Sequence, residues 1–209
     1  MTPIRPRHLV AFVLLLAASA TAPLALAQQR CPRSLTTPDS DFADDAGPGM
    51  VRHKPTGLIW KRCAEGQSWD TDTSTCIGVA ATYNWPDALA RVDALNAGTV
   101  GENLGPTDWR LPNINELHSL VELGCLSPAI SLTQFPNTPA SVFWSASPHA
   151  NPTDAWAVYF SDGFDNGIVR SDANRVRLVR AGQSSLNFDA AAPINGACGG
   201  ASGTPSATA

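Results

Sequence analysis

The stretch TDWRLPNINELHSLVELGC, from Thr107 to Cys125, is the part of the sequence that decides the fold. Its proline ends the preceding extended segment, since the residue before a proline is disfavoured in a helix. Asn113 can cap a helix, and Glu116 stands where a side chain reaches back to the cap. Four apolar residues form one stripe at helical spacing: Ile114, Leu117, Leu120 and Val121. We therefore predict a helix that begins after Asn113 and ends at Gly124, a residue type common at helix ends.

Segments before this stretch predict a hairpin and a first helix. MVRH and LIWKRC flank KPTG, whose proline and glycine suit a tight turn, so residues 50–63 are predicted to form a β-hairpin. Asn84 can cap a helix through WPDALARVDALN, because Pro86 is tolerated in the first turn. Gly98 follows and is expected to end that helix.

From Ser141 onward the apolar pattern changes to a period of two. Four short runs, SVFWSAS, AWAVYFS, GIVRS and RVRLVRA, are separated by Pro, Asp, Gly and Asn clusters. Asp162-Gly163 suits a hairpin turn, and Arg175 and Arg177 share one face of the last run. The order of elements predicts an α+β domain in which two helices are segregated from one twisted antiparallel sheet.

Both ends of the chain differ from its middle. Residues 1–27 carry two arginines, an apolar run and Ala-Leu-Ala before Gln28, which predicts a cleaved secretory signal. We expect a secreted, periplasmic or cell-surface product with no membrane span after cleavage. Residues 28–47 are rich in Pro, Ser, Thr and Asp, and residues 182–209 in Ala, Gly and Ser, so both segments are predicted to be flexible.

The charge balance disfavours some partners. Without residues 1–27 the chain has 12 basic and 18 acidic residues, a net charge of −6. This excess of acidic groups argues against nucleic acid, and against polyanions unless the basic groups are clustered. About 180 residues remain, enough for one domain with a sizeable core.

All five cysteines follow the predicted signal, and an oxidising compartment favours disulfides over free thiols. Cys63 and Cys76 bracket a short polar segment, so we predict a bridge between them, worth about 3 kcal/mol in the chain-entropy model. The pairing of Cys31, Cys125 and Cys198 is open. Zinc is the alternative, but the sequence has no C-x2-C motif and no nearby histidine pair, so no metal site is predicted.

Several segments, in their order along the chain, resemble one known family: TGLIWKRC, the helix after YNW, DWRLPNINELHSLV, FWSAS, AWAVYFSDG and RVRLVR. They are similar to the C-terminal domain of collagen-like adhesins, the Lcl C-terminal domain family. The resemblance covers residues 48–181. Several separate segments in the same order are more specific than any single motif.

The resemblance implies a fold similar to that of C-type lectins, in the branch shared with formylglycine-generating enzymes and hypervariable receptor proteins. In that fold DWRLPN is a strand that leads into the second helix. The namesake adhesin domain is trimeric and binds sulfated glycosaminoglycans, so the resemblance implies a surface-exposed binding module that forms a homo-oligomer. This chain departs from the namesake because it has no Gly-X-Y collagen stalk and its mature charge is negative.

Basic residues are concentrated near the end of the domain. Four arginines lie within eleven residues: Arg170, Arg175, Arg177 and Arg180. Such a patch can bind sulfate groups bidentately even on an acidic protein, so the first three are candidate ligand-binding residues. The alternative is a solvated strand face on which the arginines pair with nearby acids: Asp162, Asp165 and Asp172.

Asp and Asn residues crowd the loops of the same region, which correspond to the variable surface of the hypervariable relatives. Three of them are candidate ligand-binding residues: Asp165, Asn166 and Asp172. Their oxygens suit calcium, but the Glu-Pro-Asn and Trp-Asn-Asp signatures of lectins are absent. Turns also recruit Asp and Asn for backbone reasons. Calcium is therefore the weaker alternative, and no cofactor is predicted.

Six tryptophans could serve the core or a sugar-stacking platform. Large aromatic side chains dominate core energetics, so four are assigned to the core: Trp60, Trp109, Trp144 and Trp156. Trp69 lies inside the predicted disulfide loop and is the better candidate for an exposed ligand contact.

No catalytic motif is present in the sequence. G-x-S-x-G, H-E-x-x-H and phosphate-loop motifs are absent, and residues 141–181 lack the cysteine pair of the formylglycine-generating relatives. We predict an exported, non-catalytic binding module that recognises carbohydrate, including a sulfated glycan, or a protein surface through loops 145–175. The alternative is a structural or interaction subunit of a bacterial cell-envelope assembly, with an envelope or host surface protein as its partner.

Overall fold

The computed structural model describes residues 29–99, 105 and 107–182. These residues form a mixed domain of two helices and three antiparallel sheets, in agreement with the predicted α+β class. The predicted signal peptide, nearly all of the predicted C-terminal tail and Cys198 lie outside them. The helices are α1 (Trp85–Asn96) and α2 (Ile114–His118). The strands are β1 (Phe42–Ala43), β2 (Met50–His53), β3 (Ile59–Lys61), β4 (Ser68–Asp70), β5 (Thr75–Ile77), β6 (Val142–Pro148), β7 (Asp154–Tyr159), β8 (Asp165–Val169) and β9 (Val179–Arg180).

The largest sheet has four strands in the order β1-β2-β3-β9. β2 and β3 form the predicted hairpin, in which Val51 lies opposite Trp60. The run RVRLVRA was predicted to extend the later sheet, but only its Val179–Arg180 forms a strand, and this strand pairs with β3. Val179 also exchanges backbone hydrogen bonds with Arg110 at 2.9 and 3.0 Å. The single sheet predicted from sequence is therefore wrong, because the last strand closes a separate sheet.

β6, β7 and β8 form a three-stranded antiparallel meander. The predicted turn joins β7 to β8: Gly163 has a φ of +88° and donates its N–H to the Tyr159 carbonyl at 2.7 Å. A positive φ favours glycine, which has no Cβ. An added Cβ at Gly163 would lie 2.6 Å from Cγ1 of Val121. The turn therefore needs glycine both for its backbone and for its close packing.

Helix α1 has the bounds that the sequence predicts. The Asn84 side chain accepts a hydrogen bond from the N–H of Asp87 at 2.8 Å, and Pro86 occupies the first turn. Proline fits there because the first N–H groups of a helix have no partner within the helix. Gly98 follows the helix with a φ of +69°, the left-handed conformation in which many helices end.

Helix α2 begins as predicted but is shorter. Asn113 and Glu116 form the reciprocal capping box, and Arg110 donates two hydrogen bonds of 2.7 Å to the Glu116 carboxylate. The helix ends at His118 instead of Gly124, because the next backbone bonds tighten to three-residue spacing, with Val121 bonded to the His118 carbonyl. Leu120 and Val121 still reach the core. The predicted start of the helix is confirmed by the capping box. The last two residues of the predicted apolar stripe, Leu120 and Val121, lie in a tight turn after the helix.

Two apolar clusters fill the space on either side of the meander. One contains Phe143 and Val158 together with Leu117 of α2. The other contains Trp144 and Ala157 together with Val92 of α1, in addition to other side chains. Neighbouring residues of a strand point to opposite faces. The two helices therefore cover opposite faces of the meander.

The N-terminal segment, predicted to be flexible over residues 28–47, is attached to the domain along its described part. Cys31 forms a disulfide with Cys125, and β1 pairs with β2. The buried Glu122 carboxylate accepts hydrogen bonds from the backbone N–H groups of Thr36 and Thr37 at 2.8 and 2.7 Å. Composition suggested a mobile flank, but a long-range disulfide and a buried carboxylate hold these residues in place.

Candidate functional site

Arg177, a predicted ligand-binding residue, is fully buried. Its guanidinium donates to the backbone carbonyls of Lys61 at 3.0 Å and of Arg62, and to the Thr138 hydroxyl at 2.6 Å. The rings of Phe135 and Phe143 lie 4.7 and 5.7 Å from the guanidinium carbon. Arg177 therefore joins β3 to the meander from inside the core, and its assignment to an exposed face is wrong.

Burial also changes the acidity of this group. Loss of hydration lowers the pKa of Arg177 to about 9. The guanidinium therefore keeps its charge at neutral pH. Three oxygen atoms accept its hydrogen bonds in place of water. A charged side chain enclosed in this way serves the architecture, since sulfate in solution cannot reach it.

The other arginines of the predicted patch point to separate places. Arg170 stacks on the Trp85 ring at 4.5 Å and donates its Nε–H to the Asp154 carbonyl at 3.0 Å. Arg175 is half-buried, and its Nε is buried without a hydrogen-bond partner in the described part of the chain. Arg180 is buried against Trp109 at 5.7 Å. The structure therefore does not gather these residues into one basic surface.

The acidic candidates lie on the exposed side of the same region. Asp165 and Asn166 begin β8, and Asp172 follows that strand, all three exposed. None of them forms an ion pair with the four arginines, all of which lie in the described residues. Within those residues no group of three or more His, Cys, Asp or Glu side chains could hold a metal ion. Calcium binding in these loops stays a prediction.

The tryptophans assigned to the core divide into two kinds. Trp60, Trp109 and Trp144 are buried, as predicted. Trp156 is half-buried and meets the His149 ring edge-on, with centroids 4.7 Å apart. Its assignment to the core is wrong: its strand neighbour across the sheet is Gly167, and the side chain that lies against that glycine is His149 and not a residue of the apolar core.

Trp69 lies beside a groove of about 500 Å³. The short hairpin of β4 and β5 carries the indole, and the predicted disulfide between Cys63 and Cys76 ties this hairpin to the end of β3. Residues 44–50 form another wall of the groove and pack directly against the indole, since an added Cβ at Gly49 would lie 2.9 Å from Cβ of Trp69. The groove is lined by Asp44, Gly47, Pro48, Gly49, Met50, Arg62, Trp69, Ser74, Thr133 and Gln134.

Arg62 forms the polar floor of this groove. Its Nε–H donates to the Met50 carbonyl at 3.1 Å, and Nη1 donates to the Gln134 carbonyl and side-chain oxygen at 2.9 and 3.2 Å. Nη2 donates to Asp44, whose side chain is 80 % exposed. The guanidinium lies 5.4 Å from the Trp69 ring. These contacts hold Arg62 against the indole and bind one oxygen of the Asp44 carboxylate at the groove wall.

The groove combines an aromatic surface with hydrogen-bonding groups. Trp69 is half-buried, and its indole N–H makes no hydrogen bond within the described chain. The sequence pattern indicates Trp69 as a candidate contact residue but does not indicate Asp44, Arg62 or Gln134. Nothing in their local sequence marks them, because the groove brings together three segments that are distant in the chain. Such a site can bind a small ligand with one apolar face and several hydroxyl groups.

Among the described residues, no helix combines the length and apolar character needed to cross a bilayer.

Comparison with known proteins identifies the family. A search of curated proteins found no match. The family model described as the Lcl C-terminal domain matches residues 49–180, which is more than half of the chain. The chain therefore belongs to the Lcl C-terminal domain family.

Proposed function

We propose that this protein is an exported, non-catalytic, adhesin-like module that recognises carbohydrate, and that its ligand site is the groove beside Trp69. Membership of the Lcl C-terminal domain family supports a binding role in general. Two disulfides support an oxidising compartment, where such bonds persist. The C-type-lectin-like fold that the resemblance implies is part of the same proposal.

One observation carries the choice of site: a half-buried indole lines a groove together with several hydrogen-bonding side chains, among them Asp44 and Gln134. The face of an aromatic ring suits the apolar face of a pyranose, and the indole N–H supplies a hydrogen-bond donor at its edge. Binding pockets typically combine such a surface with a few convergent polar groups. The loops at residues 145–175 offer Trp156 and Arg170, but their side chains are engaged by His149 and Trp85.

Binding to a glycan array tests this function. The oxidised, signal-free protein is applied to neutral and sulfated glycans, together with Trp69→Ala and the matched variant Trp156→Ala. We expect Trp69→Ala to weaken binding by about tenfold or more, since aromatic contacts contribute on the order of 1 kcal/mol beyond their buried area. Trp156→Ala should retain binding. Thermal unfolding of both variants shows that the fold is intact.

Two results would count against the proposal. Loss of binding in Trp156→Ala but not in Trp69→Ala would place the site on the loops at residues 145–175. Absence of binding to any glycan would reject carbohydrate recognition and favour the second candidate function.

The second candidate is an interaction subunit of a cell-envelope assembly. It is favoured by exposed apolar side chains near the turn between β7 and β8: Phe164 is 72 % exposed and Leu123 is 50 % exposed. An added Cβ at Gly163 would lie 3.3 Å from Leu123, so the turn and this leucine share one surface. Light scattering of the purified protein, with Phe164→Ser as comparison, tests whether this surface mediates the trimer that the resemblance implies.

A further inference from the structure

We infer that the groove beside Trp69 takes an uncharged pyranose and rejects sulfated or carboxylated sugars, and that Asp44 sets this selectivity. The inference rests on the proposed function, because it names the class of ligand for the same site. Four features of the groove support the inference. The N–H groups of Arg62 already donate hydrogen bonds, the Asp44 carboxylate is exposed, the N–H groups of Trp69 and Gln134 have no acceptor in the described chain, and further acidic residues lie nearby.

Arg62 is the basic side chain of the groove, and most of its hydrogen bonds are already made. Its Nε, Nη1 and Nη2 groups donate to Met50, Gln134 and Asp44, and the residue is only 7 % exposed. Bidentate recognition of a sulfate needs two free parallel N–H groups of a guanidinium. Arg62 cannot offer them while Asp44 and Gln134 occupy its edges, so it positions groove residues instead of binding an anion.

Asp44 supplies a strong acceptor where a sugar hydroxyl would lie. Its Oδ1 binds Arg62, and its side chain is 80 % exposed at the groove wall. Its Oδ2 has no hydrogen-bond partner in the part of the chain that the structure describes. A carboxylate oxygen accepts hydroxyl hydrogens strongly, whereas it repels a sulfate or a uronate. Asp44 therefore distinguishes sugars by their charge.

The donors of the groove complement this acceptor. Neither the Trp69 indole N–H nor the Gln134 side-chain NH2 donates a hydrogen bond within the described residues. A carboxylate, an amide and an indole N–H around one aromatic ring match a ring with neighbouring hydroxyls, each of which both donates and accepts. A phosphate or sulfate ester offers only acceptors at that group.

Charges near the groove point the same way. Asp45 follows Asp44 on the N-terminal wall, and Asp70 and Asp72 belong to the hairpin that carries Trp69. Asp45 is paired with Arg52. The Asp70 carboxylate accepts hydrogen bonds from the Thr73 hydroxyl and from the backbone N–H of Asp72, and neither Asp70 nor Asp72 forms an ion pair in the described chain. Two carboxylates without a basic partner among the described residues therefore adjoin Trp69 in its hairpin. Binding should depend little on salt, since the ligand itself carries no charge.

NMR titration of the intact, signal-free protein tests the inference. The reporter is the indole N–H resonance of Trp69, assigned by its absence in Trp69→Phe. The probes are methyl glycosides of glucose, galactose, mannose and N-acetylglucosamine, and a sulfated heparin disaccharide, each at low and at high ionic strength. We expect at least one uncharged glycoside to shift the reporter to saturation at both ionic strengths, and the sulfated disaccharide to leave it unchanged.

Two single-atom variants isolate the role of Asp44. Asp44→Asn should weaken binding of the uncharged glycoside by about tenfold, because a charge-assisted hydrogen bond is replaced by a neutral one. It should also let the sulfated disaccharide shift the reporter, because Arg62 loses its anionic partner. Asp45→Asn is the matched control: it removes the same charge one residue away, beside Arg52 and outside the groove lining. It should bind like the unmodified protein.

The outcomes separate this inference from the proposed function. Reporter shifts with the sulfated disaccharide in the unmodified protein, lost at high ionic strength, would overturn the selectivity but retain carbohydrate recognition. Equal behaviour of Asp44→Asn and Asp45→Asn would overturn the role of Asp44. A reporter unmoved by every probe, with binding retained on the glycan array, would reject the groove as the site. Absence of binding on the array would reject the proposed function itself.

Discussion

The C-terminal segment from Arg170 to Arg180 and the groove beside Trp69 both place arginine against aromatic rings, yet they use it in different ways. In the C-terminal segment, Arg177 is fully enclosed and donates to backbone carbonyls and a hydroxyl. In the groove, Arg62 joins an exposed carboxylate, an amide and an indole at the surface. The partners of an arginine, more than its neighbours in sequence, decide whether it supports the core or shapes a site.

The difference also shows why charges that cluster in sequence need not form a charged surface. Alternate residues of a strand share a face, so Arg175 and Arg177 were expected to reach solvent together. The segment leaves the meander before it pairs with β3, and Arg177 is then covered by Phe135 and Phe143. The groove, in contrast, draws its polar groups from three separate segments.

The largest effect is expected from Arg177→Ala, which would break the buried side of this comparison. It removes the donor shared by two carbonyls and Thr138, and it leaves a cavity between two phenylalanines. We expect the free energy of unfolding to fall by about 3–5 kcal/mol, because two buried carbonyls and a hydroxyl lose their donor and the missing side chain leaves a cavity. Urea unfolding followed by tryptophan fluorescence gives this value.

Arg170→Ala is the matched control for that experiment. Arg170 is half-buried and stacks on Trp85, so its loss should cost about 1 kcal/mol or less. If the two variants were equally stable, Arg177 would lie at the surface and the contrast with the groove would disappear.

An intermediate effect is expected from removing the bridge of the groove hairpin. Cys63→Ala combined with Cys76→Ala opens a loop with a sequence separation of 13 residues, and the chain-entropy model gives a loss of about 3 kcal/mol. Glycan binding should weaken together with stability, because the bridge holds the hairpin that carries Trp69. The measurement compares urea unfolding and array binding of the double variant with those of the oxidised protein. Unchanged binding would mean that the hairpin positions Trp69 without its disulfide.

The smallest effect is a pH dependence of stability at His53 of β2, the strand whose Met50 lines the groove. Burial lowers the pKa of His53, although Asp41 opposes this shift. The unfolded chain, with a pKa near 6.5, then binds a proton more readily than the folded chain. Stability should be complete above about pH 6.5 and decline as the pH falls toward the lower pKa of the folded state.

The variant His53→Gln isolates this contribution. Urea unfolding midpoints are measured at several pH values for both proteins. The variant should lose less stability between neutral and mildly acidic pH than the unmodified protein does. Parallel curves for the two proteins would show that other groups govern the acid response.

Local signals predicted the elements that depend on local chemistry. Asn84, Pro86 and Gly98 were sufficient to predict both ends of α1. The capping box of Asn113 and Glu116 was sufficient to predict where α2 begins. The end of α2 could not be predicted, since Glu122 leaves the helical path to bind the N-terminal segment. Proximity in sequence indicated the bridge from Cys63 to Cys76, but the bridge from Cys31 to Cys125 spans 94 residues and leaves no local signal.

The sequence by itself determined the family, the α+β class, the first helix and the two hairpins, because caps, turns, periodicity and ordered motifs act over short distances. Only the tertiary structure decided which arginines are buried, which sheet the last strand joins and which groups surround Trp69. Those outcomes depend on contacts between residues far apart in the chain, such as Arg62 with Gln134 and Arg177 with Thr138. A local sequence pattern cannot specify these contacts, because the same alternation of apolar and basic residues is compatible with arginines on an exposed strand face or on a buried one.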